Sequence, residues 1–165
     1  MKVIDFTNQW LAGEVAAGRC MLIMGIIAIV AAIVFWRMPD SPVLRALVIP
    51  IAVVGLLHAG TGAFMLYSTD KQKTEYTVAA EQDEAQFLQA EKERVAGFGA
   101  SYTGVIIFCA IAFVAALLMF ALCSSLTWRS VAVVIVYFCL SLLVGDLFSK
   151  HHAQVYQQQL ETYVQ

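Results

Sequence analysis

Residues 104–123 read GVIIFCAIAFVAALLMFALC, twenty positions with no charge and no proline. A hydrocarbon core about 30 Å thick is crossed by about 20 helical residues at 1.5 Å each. The stretch has that length. In lipid its backbone satisfies its own N–H and C=O groups only by forming a helix. Three further runs fit the same template: residues 20–36, 46–67 and 131–148. The expected fold is all-α, a four-transmembrane-helix bundle with helical cytoplasmic extensions, in one integral membrane domain over residues 1–165.

Composition points the same way. Of 165 residues, 61% are hydrophobic and 13% charged, against about 45–50% and about 25% in an ordinary globular domain. A soluble chain of this size lacks the interior to hide that excess. Disorder is excluded, and a net charge of −2 supplies no basic field for nucleic acid. Cys20, Cys109, Cys123 and Cys139 sit in or beside apolar runs with no CxxC spacing, so they read as packing residues rather than a zinc or disulfide framework. The first run follows a segment holding Asp5, Glu14, Phe6 and Trp10 and ends in Trp36-Arg37, so it is expected to be retained rather than cleaved.

Aromatic residues mark both boundaries: Trp36-Arg37 and Trp128-Arg129 on one face, Tyr67 and Tyr102 on the other. Pro39, Ser41 and Pro42 close one short loop, and Ser124, Ser125 and Thr127 the other. The face holding both termini carries Lys2, Arg19, Lys71, Lys73, Lys92, Arg94 and Lys150, against Arg37, Arg45 and Arg129 opposite. That bias predicts both termini in the cytoplasm of a plasma (inner) membrane protein.

Three polar pieces lie on the terminal face. Met1 to Ala17, with Val3, Phe6, Trp10 and Leu11 near helical spacing, predicts a short interfacial helix capped by Thr7-Asn8. Residues 69–96 predict a cytoplasmic helical segment capped by Thr69 or Asp70, with Tyr76, Ala80, Phe87, Leu88 and Val95 as its apolar stripe. The alternative is a helical hairpin turning near Gln82-Asp83. The seven acids and four bases between Ser68 and Arg94 make this segment a poor ligand for an anionic leaflet. Residues 149–165 extend the fourth span, and Ala153, Tyr156, Leu160 and Tyr163 form a 3-4-3 seam that needs a partner. The stripe Tyr76, Ala80, Phe87 or a second protomer would supply one.

Ionisable groups within apolar spans are candidates for function. His58 lies about 13 Å from the terminal face at 1.5 Å per residue, among Gly55, Ala59, Gly60, Gly62 and Ala63; Ala59 to Ala63 is a small-xxx-small step that permits close helix contact. Asp146 lies near the span edge, with Arg19 as its expected ion-pair partner. His151 and His152 point about 100° apart on a helix and do not chelate one metal well. Pro50 is expected to bend the second span modestly. No phosphate loop, catalytic set, metal cluster or cofactor motif is legible. The expected partners are the bilayer and a second copy or another membrane protein. Three functions fit: a scaffold or accessory subunit working through its helical seams, an oligomeric channel or transporter using the His58 and glycine face, or a small membrane redox protein or enzyme.

Overall fold

The computed structural model describes residues 2–38 and 40–163, with the side chains at 99–101 left out; Met1, Pro39, Val164 and Gln165 lie outside the described residues. The chain forms five helices: α1 (Val3–Trp36), α2 (Pro42–Gln82), α3 (Glu84–Ala96), α4 (Phe98–Leu122) and α5 (Leu126–Thr162). No strand occurs among the described residues. Four of the helices, α1, α2, α4 and α5, are long and apolar enough to cross a membrane. Along them Ile23, Ile27, Leu56, Phe64, Ile111, Leu122 and Leu147 point outward and are each more than half exposed. Lipid solvates such a surface and water does not.

Three of the apolar helices are longer than a bilayer requires. At 1.5 Å per residue, α1, α2 and α5 span about 50, 60 and 55 Å. Their excess projects from the end holding the termini and forms a helical head together with α3. This corrects the expectation of a separate interfacial helix at residues 1–17: α1 runs unbroken from Val3, and its stripe Val3, Thr7, Trp10 and Leu11 is buried in the head. Lys2 starts the helix, with its N–H donating to the Asp5 carboxylate at 2.8 Å. Thr7 and Asn8 are therefore interior residues, as are Thr69 and Asp70 in α2. The segment 69–96 is a hairpin rather than one helix. Asp83 is extended (φ −152°, ψ 98°), and its carboxylate accepts from the Gln86 N–H at 2.9 Å, ending α2 and capping α3. A strong N-cap at position 83 outweighs the helix-forming composition on either side. At the opposite end Ser41 caps α2 from Leu44 N–H at 3.4 Å, Pro42 occupies the first turn, and the helix continues through Pro50. The Arg129 Nε donates to the Cys123 carbonyl at 2.8 Å, closing the end of α4.

Helices α1 and α2 pack antiparallel on glycine. Gly18 and Gly25 face Gly62, Ala59 and Gly55. A Cβ at Gly25 would stand 2.7 Å from the Gly55 carbonyl oxygen, and one at Gly62 2.6 Å from that of Gly18. Backbone meets backbone, and no larger side chain fits. The contact differs from the Ala59–Ala63 step expected from sequence: Ala63 and Gly60 are exposed, and Gly60 faces open space. Gly55 and Gly62, seven residues apart, lie on the face that meets α1, whereas positions 60 and 63 turn away from it.

The four apolar helices do not close into a ring. Helix α5 packs on α1, α2 and α4, whereas α4 rests chiefly on α5, with a slight contact to α3. The seam of α4 consists of Cys109 and Ala116, opposite Ala132 and Cys139 of α5, all four buried. The Cys109 and Cys139 thiols are in contact. Helix α4 is thus held on one flank and stands away from α1.

The head holds the large side chains. Val3, Trp10, Leu11, Phe87, Val95, Tyr156 and Leu160 form one buried cluster, with Phe6, Tyr76, Ala80, Leu88 and Phe98 against it. Ala153 is buried too, whereas Tyr163 is exposed at the rim, where its hydroxyl donates to Glu84 Oε1 at 3.0 Å. Within the cluster Glu91 is 3% exposed. Arg94 grips it with two hydrogen bonds of 3.0 and 2.6 Å, and the Tyr156 hydroxyl donates to it at 2.8 Å. Because that proton is committed, the 2.8 Å contact between Thr7 and Tyr156 is donated by Thr7. The Arg94 guanidinium lies over the rings of Trp10, Phe98 and Tyr76 at 4.5, 5.0 and 5.3 Å. Burial opposes its charge, but the Glu91 hydrogen bonds and charge outweigh that, and its pKa rises above the ordinary arginine value.

Two predictions follow from this packing. Gly25→Leu should lower thermal stability in detergent by about 1–3 kcal/mol or more, while Gly60→Leu should leave it within about 0.5 kcal/mol. Arg94→Ala strands a buried carboxylate and should cost about 3–5 kcal/mol, and pairing Glu91→Gln with Arg94→Met should recover most of it. Thermal unfolding followed by circular dichroism checks both.

Candidate functional site

Because α4 stands away from α1, a cleft of about 990 Å³ opens between α1, α4 and α5, with two turns of α2, from His58 to Met65, as its floor. Its walls are mostly apolar: Met21 and Met24 from α1, Met65 from α2, Val105 and Phe108 from α4, Leu140 and Val144 from α5. A Cβ added at Gly104 would meet nothing within 4 Å outside its own helix backbone, so the α4 wall is low there. Polar groups occur at two levels. His58, Thr61 and Ser141 stand at the floor, and Glu14, Asp146 and His152 at the end nearest the head.

His58 is 2% exposed, and both ring nitrogens are engaged. The Nδ1–H donates to the Val54 carbonyl at 2.9 Å, one turn earlier on α2. A carbonyl only accepts, so the proton is on Nδ1. In the tautomer that carries its one proton there, Nε2 is an acceptor, and the Ser141 hydroxyl of α5 lies 2.8 Å from it. Ser141 has a second acceptor, the Phe138 carbonyl, also at 2.8 Å. The Phe138 ring meets the imidazole edge-on at 5.4 Å, and Tyr137 lies tilted at 6.2 Å. His58 therefore ties α2 to α5 where the cleft is deepest. Ser141 was not among the sequence candidates. Its signal was there to read: a hydroxyl inside the otherwise nearly apolar run 131–148.

Asp146 lines the same cleft, and its Oδ2 is buried with no hydrogen-bond partner. Its expected pairing with Arg19 is absent. Arg19 is exposed, because its neighbour Gly18 faces α2 and the next helical position turns about 100° away. Lys150, one turn along α5, is the cation whose charge acts on Asp146. Glu14 of α1 and Asp146 of α5 both line the cleft, and the charge of each acts on the Tyr102 hydroxyl of α4. His152 lies over Gly13 and lines the cleft, and both it and its neighbour His151 are exposed. Among the described residues no three His, Cys, Asp or Glu side chains converge on a metal position.

The structure thus separates the sequence candidates. His58 and Asp146 share one cavity; Ser141, which faces His58, is about 7.5 Å from Asp146 along α5 at 1.5 Å per residue. Arg19 lies outside it. Tyr76, Ala80, Phe87, Ala153, Tyr156 and Leu160 belong to the head, and Tyr163 to its rim. No family model, curated protein or solved structure matches the chain. The cleft is therefore read from its own chemistry.

An unpartnered carboxylate oxygen in an apolar wall is a cost to folding. Asp146→Leu should raise thermal stability by about 1–3 kcal/mol; a fall of similar size would mark Asp146 as a structural ion-pair member instead.

Proposed function

We propose that the chain is an integral membrane protein that binds a small amphiphilic molecule in the cleft between α1, α4 and α5. The single observation carrying this reading is the cleft itself. Its volume of about 990 Å³ is at the upper end of small-molecule sites, which run about 300–1,000 Å³ and combine apolar walls with few polar groups. The walls suit a chain or ring system, and the two polar levels suit a molecule with defined ends. The surplus of Lys and Arg on the terminal face supports an orientation with head and termini in the cytoplasm of a plasma (inner) membrane.

The scaffold reading drew on the seams of the head helices. Tyr76, Phe87, Tyr156 and Leu160 pack on one another within the chain, which leaves those seams little to offer a partner. The channel reading drew on the glycine face of α2, and Gly55 and Gly62 are spent against α1. The cleft is the feature that internal packing does not use.

Native mass spectrometry of the full chain released from nanodiscs tests the proposal. The expected result is a monomer carrying an adduct of a few hundred daltons. Gly104→Trp, which fills the cleft from its open wall, should remove the adduct while leaving the helical content unchanged. A bare chain would contradict the proposal, as would an adduct unaffected by Gly104→Trp or a dimer that fills the cleft with a second copy's helix.

A further inference from the structure

The floor of the cleft identifies the polar group of the occupant. We infer that the cleft takes an apolar molecule bearing an uncharged hydroxyl, an alcohol or a phenol, which donates its proton to His58 Nε2. The inference rests on the cleft being a binding site and adds the chemistry that selects the occupant.

Nδ1 is committed as a donor to Val54, so the one atom of His58 free to change partners is Nε2, an acceptor. The Ser141 hydroxyl faces it at 2.8 Å; its one proton has two acceptors in reach, His58 Nε2 and the Phe138 carbonyl, the latter also at 2.8 Å. It can satisfy only one of them fully. When another donor approaches Nε2, the Ser141 proton turns to Phe138 and no group is left unpaired. An exchange of this kind avoids the cost of a buried group losing its partner. Ser141 thus acts as a displaceable stand-in for a ligand hydroxyl.

The surroundings exclude a charged donor. Asp146, the nearest acid on α5, is five residues from Ser141, about 7.5 Å along the axis, and no acid lies at the level of the floor. An ammonium group taken there would lose its hydration without gaining a counter-charge. A neutral hydroxyl loses far less. Met21, Met24 and Met65 around the floor adapt to bodies of different shape, whether chain or ring.

The test compares dodecanol with dodecyl methyl ether, which has a similar body but no proton to donate. Binding of each to the full chain in detergent micelles is measured by native mass spectrometry. The wild-type chain should bind the alcohol about tenfold more tightly than the ether, the size of one net hydrogen bond. His58→Leu should make the two equal; it leaves Ser141 its Phe138 acceptor and so orphans no hydroxyl. Ser141→Ala should keep the preference and tighten alcohol binding about threefold or more, because it removes the internal competitor. A residue with a merely structural role would weaken binding on truncation. Equal affinity for both probes in the wild type would overturn this inference while leaving the cleft as a site. So would a preference that survives His58→Leu, or weaker alcohol binding in Ser141→Ala. If neither probe binds, the binding reading of the cleft falls and this inference with it.

Discussion

The buried pair of Glu91 and Arg94 is the contact on which the arrangement of the helices depends. Arg94 binds the carboxylate with two hydrogen bonds, and Tyr156 of α5 adds a third. The guanidinium lies over rings from α1, α2 and the start of α4. Thr7 of α1 completes the chain of hydrogen bonds through Tyr156. Every helix therefore contributes to one charged centre. A buried ion pair is not by itself a source of net stability, since desolvation offsets its attraction. Its effect here is geometric: a charge that must be satisfied from five directions admits few alternative arrangements of the helices that satisfy it.

The cleft results from two constraints of different kinds. At the head, Trp10, Tyr156 and Phe98 stack in one pile and fix where α4 begins relative to α1 and α5. Within the apolar layer, α1 and α2 close on Gly18, Gly25, Gly55 and Gly62, while among the described residues α4 buries Cys109 and Ala116, on the side of α5. Below the stacked Trp10 and Phe98 rings, α4 packs chiefly on α5 rather than on α1. Large aromatic contacts at one end and a one-sided seam along its length hold it apart, and the space between contains His58 and Asp146.

Much of this architecture could be read from composition and period. The run 104–123 ends one residue past α4, at its cap Cys123, and its three counterparts fall within helices of the structure, as expected of stretches that must satisfy their own backbone in lipid. Other features were hidden for definite physical reasons. Glu91 and Arg94 sit three residues apart in an acidic helix, a pattern shared by countless solvated pairs, and only the tertiary placement of Trp10 and Tyr156 buries them. Asp83 resembled any other acid in a helix-forming stretch until its extended backbone revealed it as a cap. The glycines of α1 carried a seven-residue spacing that matches Gly55 and Gly62, yet a single chain offers no sign of which two helices will meet. At the cleft, His58 and Asp146 announced themselves as ionisable groups among apolar ones. Ser141 did not, because a serine hydroxyl in a span ordinarily bonds back to its own helix, and here it does that and faces His58 as well.

In the structure α4 stands apart from α1 and leaves the cleft open. Pulsed electron paramagnetic resonance tests this arrangement directly, with spin labels at Ile23 on α1 and Ile107 on α4 in a chain whose native cysteines are replaced, reconstituted in nanodiscs. The account predicts one distance distribution, beyond what labels on two packed helices with axes about 8–10 Å apart would give. A dominant population at the packed-helix distance would mean that α4 closes onto α1, and would contradict it.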